Sequence, residues 1–344
     1  QFNVTAKHSI EKMGAQYHDA FLTVSDITAR ECKYLLGKEV DVVTPNGFEN
    51  DFVWTGAEYD TKRAEARKAM ITVAEACLGC KFETEPLIVG TSGRYEFHNK
   101  GLDIFFDTLK ALEVSGKLDR EVLAYVTVPA ANLGARHDLQ AHLQDKSQPI
   151  DASQYRYSTH VLEYQAWDQM ANAINGSVLD NAESKVKVII VPTYLNQNDG
   201  VFNKSYYELL VGMDLTIYPS YYEPWGYTPL ESIAFSVPTI TTTLAGFGVW
   251  AAEQDKNDGV VVVERNDDNT AEAVASVADA VLRFLALSDK EVKAVRKAAL
   301  EISKKALWDN LFAYYRKAYD LAIEGCIART NRAVMGDGGA SHEQ

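Results

Sequence analysis

Short apolar runs and longer stretches of helical period alternate along this chain. Residues 20–25 (AFLTVS) predict a strand, and Ser25 or Asp26 caps a helix whose Ala29, Cys32, Leu35 and Leu36 share one face. Residues 41–44 (DVVT) predict a second strand, closed by the turn Pro45-Asn46-Gly47. A charged helix follows over 58–77, then a strand over 87–91 (LIVGT). Leu102, Phe105, Phe106, Leu109 and Leu112 recur at the spacing of a core-facing helix. Further strands are predicted at 122–128, 186–191, 215–218 and 239–242, with short helices at 206–211 and 228–235. From 270 to about 329 the pattern is helical. Apolar strands alternating with amphipathic helices predict a parallel α/β sheet of the doubly wound type. Residues 134–159 are polar and aperiodic and predict a long loop or lid-like insertion. Residues 336–344 read as a frayed tail.

One span stands apart from this alternation. Between Tyr218 and Glu231 the chain reads YPSYYEPWGYTPLE, crowding aromatics, prolines and a glycine around two carboxylates, Glu223 and Glu231. Loops held this stiffly usually position a reacting group. Thr228 falls where a helix N-cap belongs, Pro229 at the first helical position and Glu231 three residues after the cap. Glu231 therefore has two readings, one as half of a capping box and one as a ligand-binding carboxylate. Glu223 precedes a proline inside the aromatic loop, has no capping reading, and is favoured as functional. The helix N-terminus beside it is a natural anion site.

Composition narrows the partners. The 344 residues suffice for two domains, and 47% hydrophobic with 24% charged residues describes a soluble globular chain. A formal charge of −14 argues against nucleic acid or an anionic membrane as partner, so any phosphorylated ligand must be met by local cations. No apolar run approaches the ~18 residues of a membrane helix, and no signal peptide opens the chain. Cys32, Cys77, Cys80 and Cys326 do not suggest a disulfide framework and fit a cytoplasmic location. The lone C-x-x-C of Cys77 and Cys80 reads as a helix-end coincidence, the histidines lack metal-ligand spacing, and Asn266-Asp-Asp-Asn269 reads as a turn with Asp268 or Asn269 capping the next helix. No metal or cofactor is expected.

Ligands of doubly wound folds bind outside the C-terminal ends of the strands. Behind the strand at 87–91 comes SGRYEFHNKG, with the cations Arg94 and Lys100 on one loop between Gly93 and Gly101. Behind 239–242 comes Leu244-Ala-Gly246-Phe247-Gly248, a glycine loop opening a helix and suited to phosphate oxygens, although a plain turn reads as well. Tyr206 and Tyr227 could stack on a base or sugar, with rim or core packing as the alternative. Asn132, beyond the strand at 122–128, is a candidate polar site residue.

These motifs resemble the glycogen synthase family of animals and fungi. E-P-W-G-Y-T-P-L-E after P-S-Y-Y, then V-P-T-I-T-T-T-L-A-G-F-G, carry the likeness, with S-G-R-Y-E-F-x-N-K-G-L-D, T-V-S-D-I-T-A-R-E and V-T-P-N-G in the same order. It runs from about Ser9 to Trp250, with a weaker trace to about Ala322. The resemblance implies a B-type glycosyltransferase fold with two Rossmann-like domains, the N-terminal one incomplete. Residues 1–54 would be its remnant and 55–305 the C-terminal nucleotide-sugar-binding domain, with an insertion at about 134–175. Residues 306–344 would be a C-terminal helix packing back on the N-terminal domain, plus a tail. It implies transfer of glucose from UDP-glucose to the non-reducing end of an α-1,4-glucan, with retention and without metal. Arg94 and Lys100 match the family's diphosphate-binding cations, and Glu223 and Glu231 its E-x7-E glutamates. Tyr206 matches a position contacting uracil, and the loop Gly246–Gly248 one near the sugar and phosphates. Trp225, Gly226, Tyr227 and Thr228 lie within the same motif, and Lys12 aligns with a family arginine, whereas His8 aligns with a family histidine only with an offset.

Departures leave alternatives open. The family's N-terminal K-x-G-G loop has no counterpart, so a non-catalytic nucleotide- or glucan-binding module is one alternative. An ADP-glucose-dependent synthase of bacterial type is another. The family's arginine-rich helix that binds glucose 6-phosphate is replaced by spread lysines over 292–308, so no activation by that sugar is expected. The expected partners are a nucleotide sugar and a glucan, and a homo-oligomer stays open.

Overall fold

The computed structural model describes residues 3–151, 156–255 and 257–337, with backbone alone for 333–337. The chain forms two compact units, one of residues 1–49 with 305–344 and one spanning Asn50–Lys304.

In the first unit, β1 (Leu22–Thr23) pairs parallel with β2 (Val42–Val43). The long helix Trp308–Asp337 packs on this pair: Trp308 lies over Gly47, where any Cβ would overlap the indole, and Tyr315 reaches the Asn46 amide at 3.4 Å. Ser25 caps Asp26–Glu31 through a box with Thr28. The face expected to hold Leu35 does not survive, because Cys32–Leu36 winds as a π-helix and leaves Leu35 65% exposed.

The second unit is built on six parallel strands. They are β3 (Leu87–Ser92), β4 (Val122–Thr127), β7 (Val186–Ile190), β8 (Leu215–Ile217), β9 (Thr239–Thr242) and β10 (Val260–Val263), in spatial order β10-β9-β8-β3-β4-β7. The chain fills one side of β3 first and then returns to fill the other, so the order reverses between β3 and β8. That reversal opens a crevice at the strands' C-terminal ends. The pleat sorts side chains by parity. Leu87, Val89, Val122, Ala124 and Val126 join Phe105, Phe106 and Leu109 of helix Leu102–Val114 in one core. Ile88, Leu123, Tyr125 and Ile189 face Met70 and Ala66 of helix Gly56–Leu78 in the other. Both faces are covered, so the strands read as continuous apolar runs.

Three expectations need correction. Strand β10, which is not among the predicted strands, forms a sheet edge on four valines. The stretch expected as a loop over 134–159 contains helix His137–Gln144, held by buried Leu139, while β5 (Asn132–Ala135) pairs antiparallel with β6 (His160–Leu162) around it. Residues 152–155 of that stretch, and 338–344 of the expected tail, lie outside the described residues. Asn269 stands at the N-cap of Thr270–Leu285 without a side-chain capping bond, its amide donating instead to the Glu264 carbonyl. No helix among the described residues is long and apolar enough to cross a membrane.

At the other end of the sheet Asp214 anchors β8 to helix Gly56–Leu78. Its carboxylate accepts from Arg63 at 2.5 Å, Arg67 at 2.9 Å and the Ile88 amide at 2.9 Å. Burial opposes its ionisation, but Arg67 and Arg63 outweigh that and hold its carboxyl below the usual range. Replacing Asp214 by Ala leaves two largely buried guanidinium groups without their shared counter-charge. We expect D214A to lose about 3–5 kcal/mol in urea unfolding; a loss below ~1 kcal/mol would show that Glu85, paired with Arg67 at 2.5 Å, and the carbonyls of Val211 and Met213, which Arg63 also meets, suffice.

Candidate active site

The site forms where the loops behind β3 and β8 meet. Gly101 permits the meeting: its φ of 68° is left-handed, and a Cβ there would lie 2.0 Å from the Pro219 carbonyl oxygen. The Asn99 carbonyl accepts from Tyr221 N at 2.9 Å and Tyr222 N at 3.4 Å. Buried Arg265, two residues beyond β10, donates to the Pro219 carbonyl and lays its guanidinium 5.1 Å from the Tyr221 ring centre. Across this seam Lys100 Nζ pairs with Glu223, both side chains being mostly buried.

Glu223 is also clamped from the β9 side. Its amide donates to Leu244 O at 3.1 Å, and its carbonyl accepts from Gly246 N at 3.0 Å. Phe247 N donates to Trp225 O at 2.7 Å. The Gly246 and Phe247 amides are thus bonded to the glutamate loop, so these two are not free to meet phosphate oxygens. Gly248 answers a packing demand, since a Cβ would lie 2.2 Å from Thr242 O. Trp225 is buried against Phe247 and Trp250, and its indole Nε1 has no partner among the described residues.

Helix Tyr227–Ala234 starts from Gly226, whose φ of 111° sets the turn, with no side-chain cap. Thr228 is therefore not the N-cap, and the capping-box reading of Glu231 fails with it. Glu231 instead accepts from the Tyr207 hydroxyl at 3.0 Å, and burial pushes its pKa up to about 7 against the pull of that bond.

Arg94, Tyr206, Thr228 and Glu231 line one cavity of about 470 Å³. Arg94 is exposed, touching Glu96 at 3.1 Å. Thr193, Tyr194, Leu195 and Asn196, which follow β7, line it too, as does Ser92 at the end of β3. Ser92 Oγ lies 2.7 Å from the Tyr206 hydroxyl and 3.3 Å from that of Tyr218, itself 3.2 Å from Tyr206. Burial raises both phenols, Tyr218 to about 12, so the three hydroxyls keep their protons. A cation, a helix N-terminus, a carboxyl near half-protonation and a hydroxyl cluster suit a ligand with an anionic group and neighbouring hydroxyls.

Tyr227, Asn132 and Lys12 are not among the residues that line this cavity. Tyr227 is 43% exposed. Asn132 spends its amide on the Ala130 and Pro192 carbonyls, at 3.0 and 2.7 Å, and accepts from Gly134 N, so it braces a turn. Lys12 is exposed on helix Thr5–Tyr17 of the other unit, where His8 Nε2 lies 2.8 Å from Leu35 O.

Comparison with known proteins bears on this geometry. A model of the glycogen synthase family matches residues 2–146 and 152–337. The chain belongs to the glycogen synthase family. Glycogen (starch) synthase isoform 2 of Saccharomyces cerevisiae is 26% identical over 406 residues, covering 98% of this chain and 57% of the yeast protein. The human liver glycogen (starch) synthase is 26% identical over 373 residues, covering 92% and 53%. The chain thus spans about half the length of the curated relatives it matches. A glycosyltransferase from Rickettsia africae ESF-5 superposes with a TM-score of 0.53 at 16% identity, over 92% of this chain and 67% of that one. The catalytic domain of starch synthase IV from Arabidopsis thaliana gives 0.52 at 11%, over 91% and 58%. At such identities the likeness is one of fold.

Within this member of the glycogen synthase family, four neighbours of the motif residues escaped the sequence reading: Ser92, Tyr194, Tyr207 and Arg265. Tyr194 lies three residues beyond strand 186–191, so the strand-end rule would have found it. Arg265 needed strand β10 to be seen first. Nothing local marks Tyr207 as the partner of Glu231.

The Glu231 carboxyl has a testable signature. Its folded pKa is raised, so its contribution to stability is full below the ordinary carboxyl value and is lost as pH rises through about 7. Thermal melts should therefore show stability falling between about pH 4.5 and 7, and Glu231→Gln should remove that share of the slope. Identical slopes in both proteins would contradict the burial argument.

Proposed function

We propose that this chain carries the donor site of a glycogen synthase, which transfers glucose from UDP-glucose to the non-reducing end of an α-1,4-glucan with retention of configuration. The observation that carries the reading is the junction at the sheet's reversal, where the Arg94 loop, the Lys100–Glu223 pair and the Glu231 helix meet in a chain of this family. As the bond from glucose to the diphosphate breaks, negative charge grows on the departing phosphate oxygens. Arg94, Lys100 and the N-terminus of helix Tyr227–Ala234 would take up that charge, and no metal is required of them. Glu223, held on backbone and side chain alike, would orient the glucose and face the positive charge growing at its anomeric carbon. Glu231, with Tyr207 behind it, would hold the ribose hydroxyls, and Tyr206 would border the base. The four free cysteines agree with work in the cytoplasm.

Calorimetric titration with UDP, and separately with ADP, tests the donor assignment. UDP should bind, and Arg94→Ala should weaken it. Preference for ADP would reassign the donor, and failure of both nucleotides to bind would remove the site. In an active preparation Arg94→Ala should lower turnover ~10²–10³-fold, whereas near-normal turnover contradicts its role. Glucose 6-phosphate should leave the rate unchanged, and a several-fold rise would overturn that expectation.

A further inference from the structure

Beside the donor cavity lies a second hollow of about 330 Å³, lined by Tyr95, Ala131, Tyr164, Trp167, Asp168 and Gln169. Tyr95 lines both hollows and directly follows Arg94. Trp167 is 84% exposed and Tyr164 60%. An indole left in water forgoes the burial that large apolar side chains ordinarily gain, and here it does so on a rigid support. The turn Gln165–Trp167 follows β6, with Glu163 N bonded to Ala131 O at 3.0 Å and Trp167 N to Tyr164 O at 2.9 Å. Asp168 then caps Gln169–Ile174 through Ala171 N at 2.9 Å. The Tyr95 hydroxyl donates to Asp168 Oδ2 at 2.9 Å and accepts from Gln169 N and Met170 N at 3.0 and 3.2 Å. The platform is thereby tied to the loop that carries Arg94.

We propose that this platform binds glucose units of the glucan acceptor, an inference that rests on the glycogen synthase reading. A pyranose ring offers an apolar face of C–H groups and a rim of hydroxyls. Trp167 and Tyr164 supply flat apolar surfaces for the first. For the second, Asp168 keeps acceptor capacity beyond its two bonds, and the Gln169 side-chain amide has no partner among the described residues. Asp168 is the charged residue of the lining, so a neutral polyol is favoured there over a nucleotide phosphate. The sharing of Tyr95 sets the platform next to the cavity assigned to the donor.

Maltoheptaose is the probe, titrated into the chain and followed by calorimetry, with UDP titrated separately and thermal melts as a folding control. Trp167→Ala should weaken maltoheptaose about tenfold or more, the size of a lost ring contact, and leave the UDP affinity and the melting midpoint unchanged. Trp167→Phe should retain most of the binding. Wild-type protein that does not bind maltoheptaose, or a folded Trp167→Ala variant that binds it normally, overturns the proposal. So does a loss of UDP affinity in place of maltoheptaose affinity, which would make the platform a base-stacking surface. Maltoheptaose bound through Trp167 in a chain that does not bind UDP would support the platform while removing the donor reading.

Discussion

The approach of two backbones at the sheet's reversal is the constraint on which this site depends. With the Pro219 carbonyl pressed where a Cβ of residue 101 would stand, the loop behind β3 can lie flat on the loop behind β8. The Asn99 carbonyl and the Arg265 guanidinium then fasten the two from opposite sides. Every charged residue assigned to the donor hangs from one of these loops or from the helix that continues the second. A bulkier residue at 101 would not merely crowd a turn. It would part the cation loop from the glutamate loop and separate Lys100 from Glu223.

Charge in this half of the molecule is handled by pairing within the fold. The chain carries a formal charge of −14, yet several largely buried cations meet partners within the fold: Arg63 and Arg67 share Asp214, Lys100 meets Glu223 and Arg265 a carbonyl. Arg94 differs. Its side chain stays mostly in water and meets only the neighbouring Glu96, so it can turn toward an incoming anion without breaking a buried contact.

The sheet was legible because parallel strands covered on both faces are continuous apolar runs, and such runs at 87, 122, 186 and 239 stand out against charged helices. The run Val260–Val263 is as apolar but short, and it lies between a glycine loop and a polar turn that mask it. The corner at Glu223 was legible from its prolines and aromatics. Its fine structure was not, because capping rules weigh only adjacent residues. Gly226, by adopting a left-handed φ, starts the helix ahead of Thr228, and Tyr207, distant in sequence, takes the Glu231 carboxyl. The exposure of Trp167 was likewise invisible, since an isolated tryptophan in a polar insertion reads as readily buried as bare.

The three hydroxyls of Ser92, Tyr206 and Tyr218 carry a further consequence. Each can donate or accept in every one of its bonds to the others, so the ring can circulate its protons in either sense at little cost. A wall of this kind meets a carbonyl or an N–H edge equally well. It can wet and seat a heterocycle, but it cannot tell a pyrimidine from a purine. Discrimination between bases would therefore fall to groups whose polarity is fixed, not to these three hydroxyls.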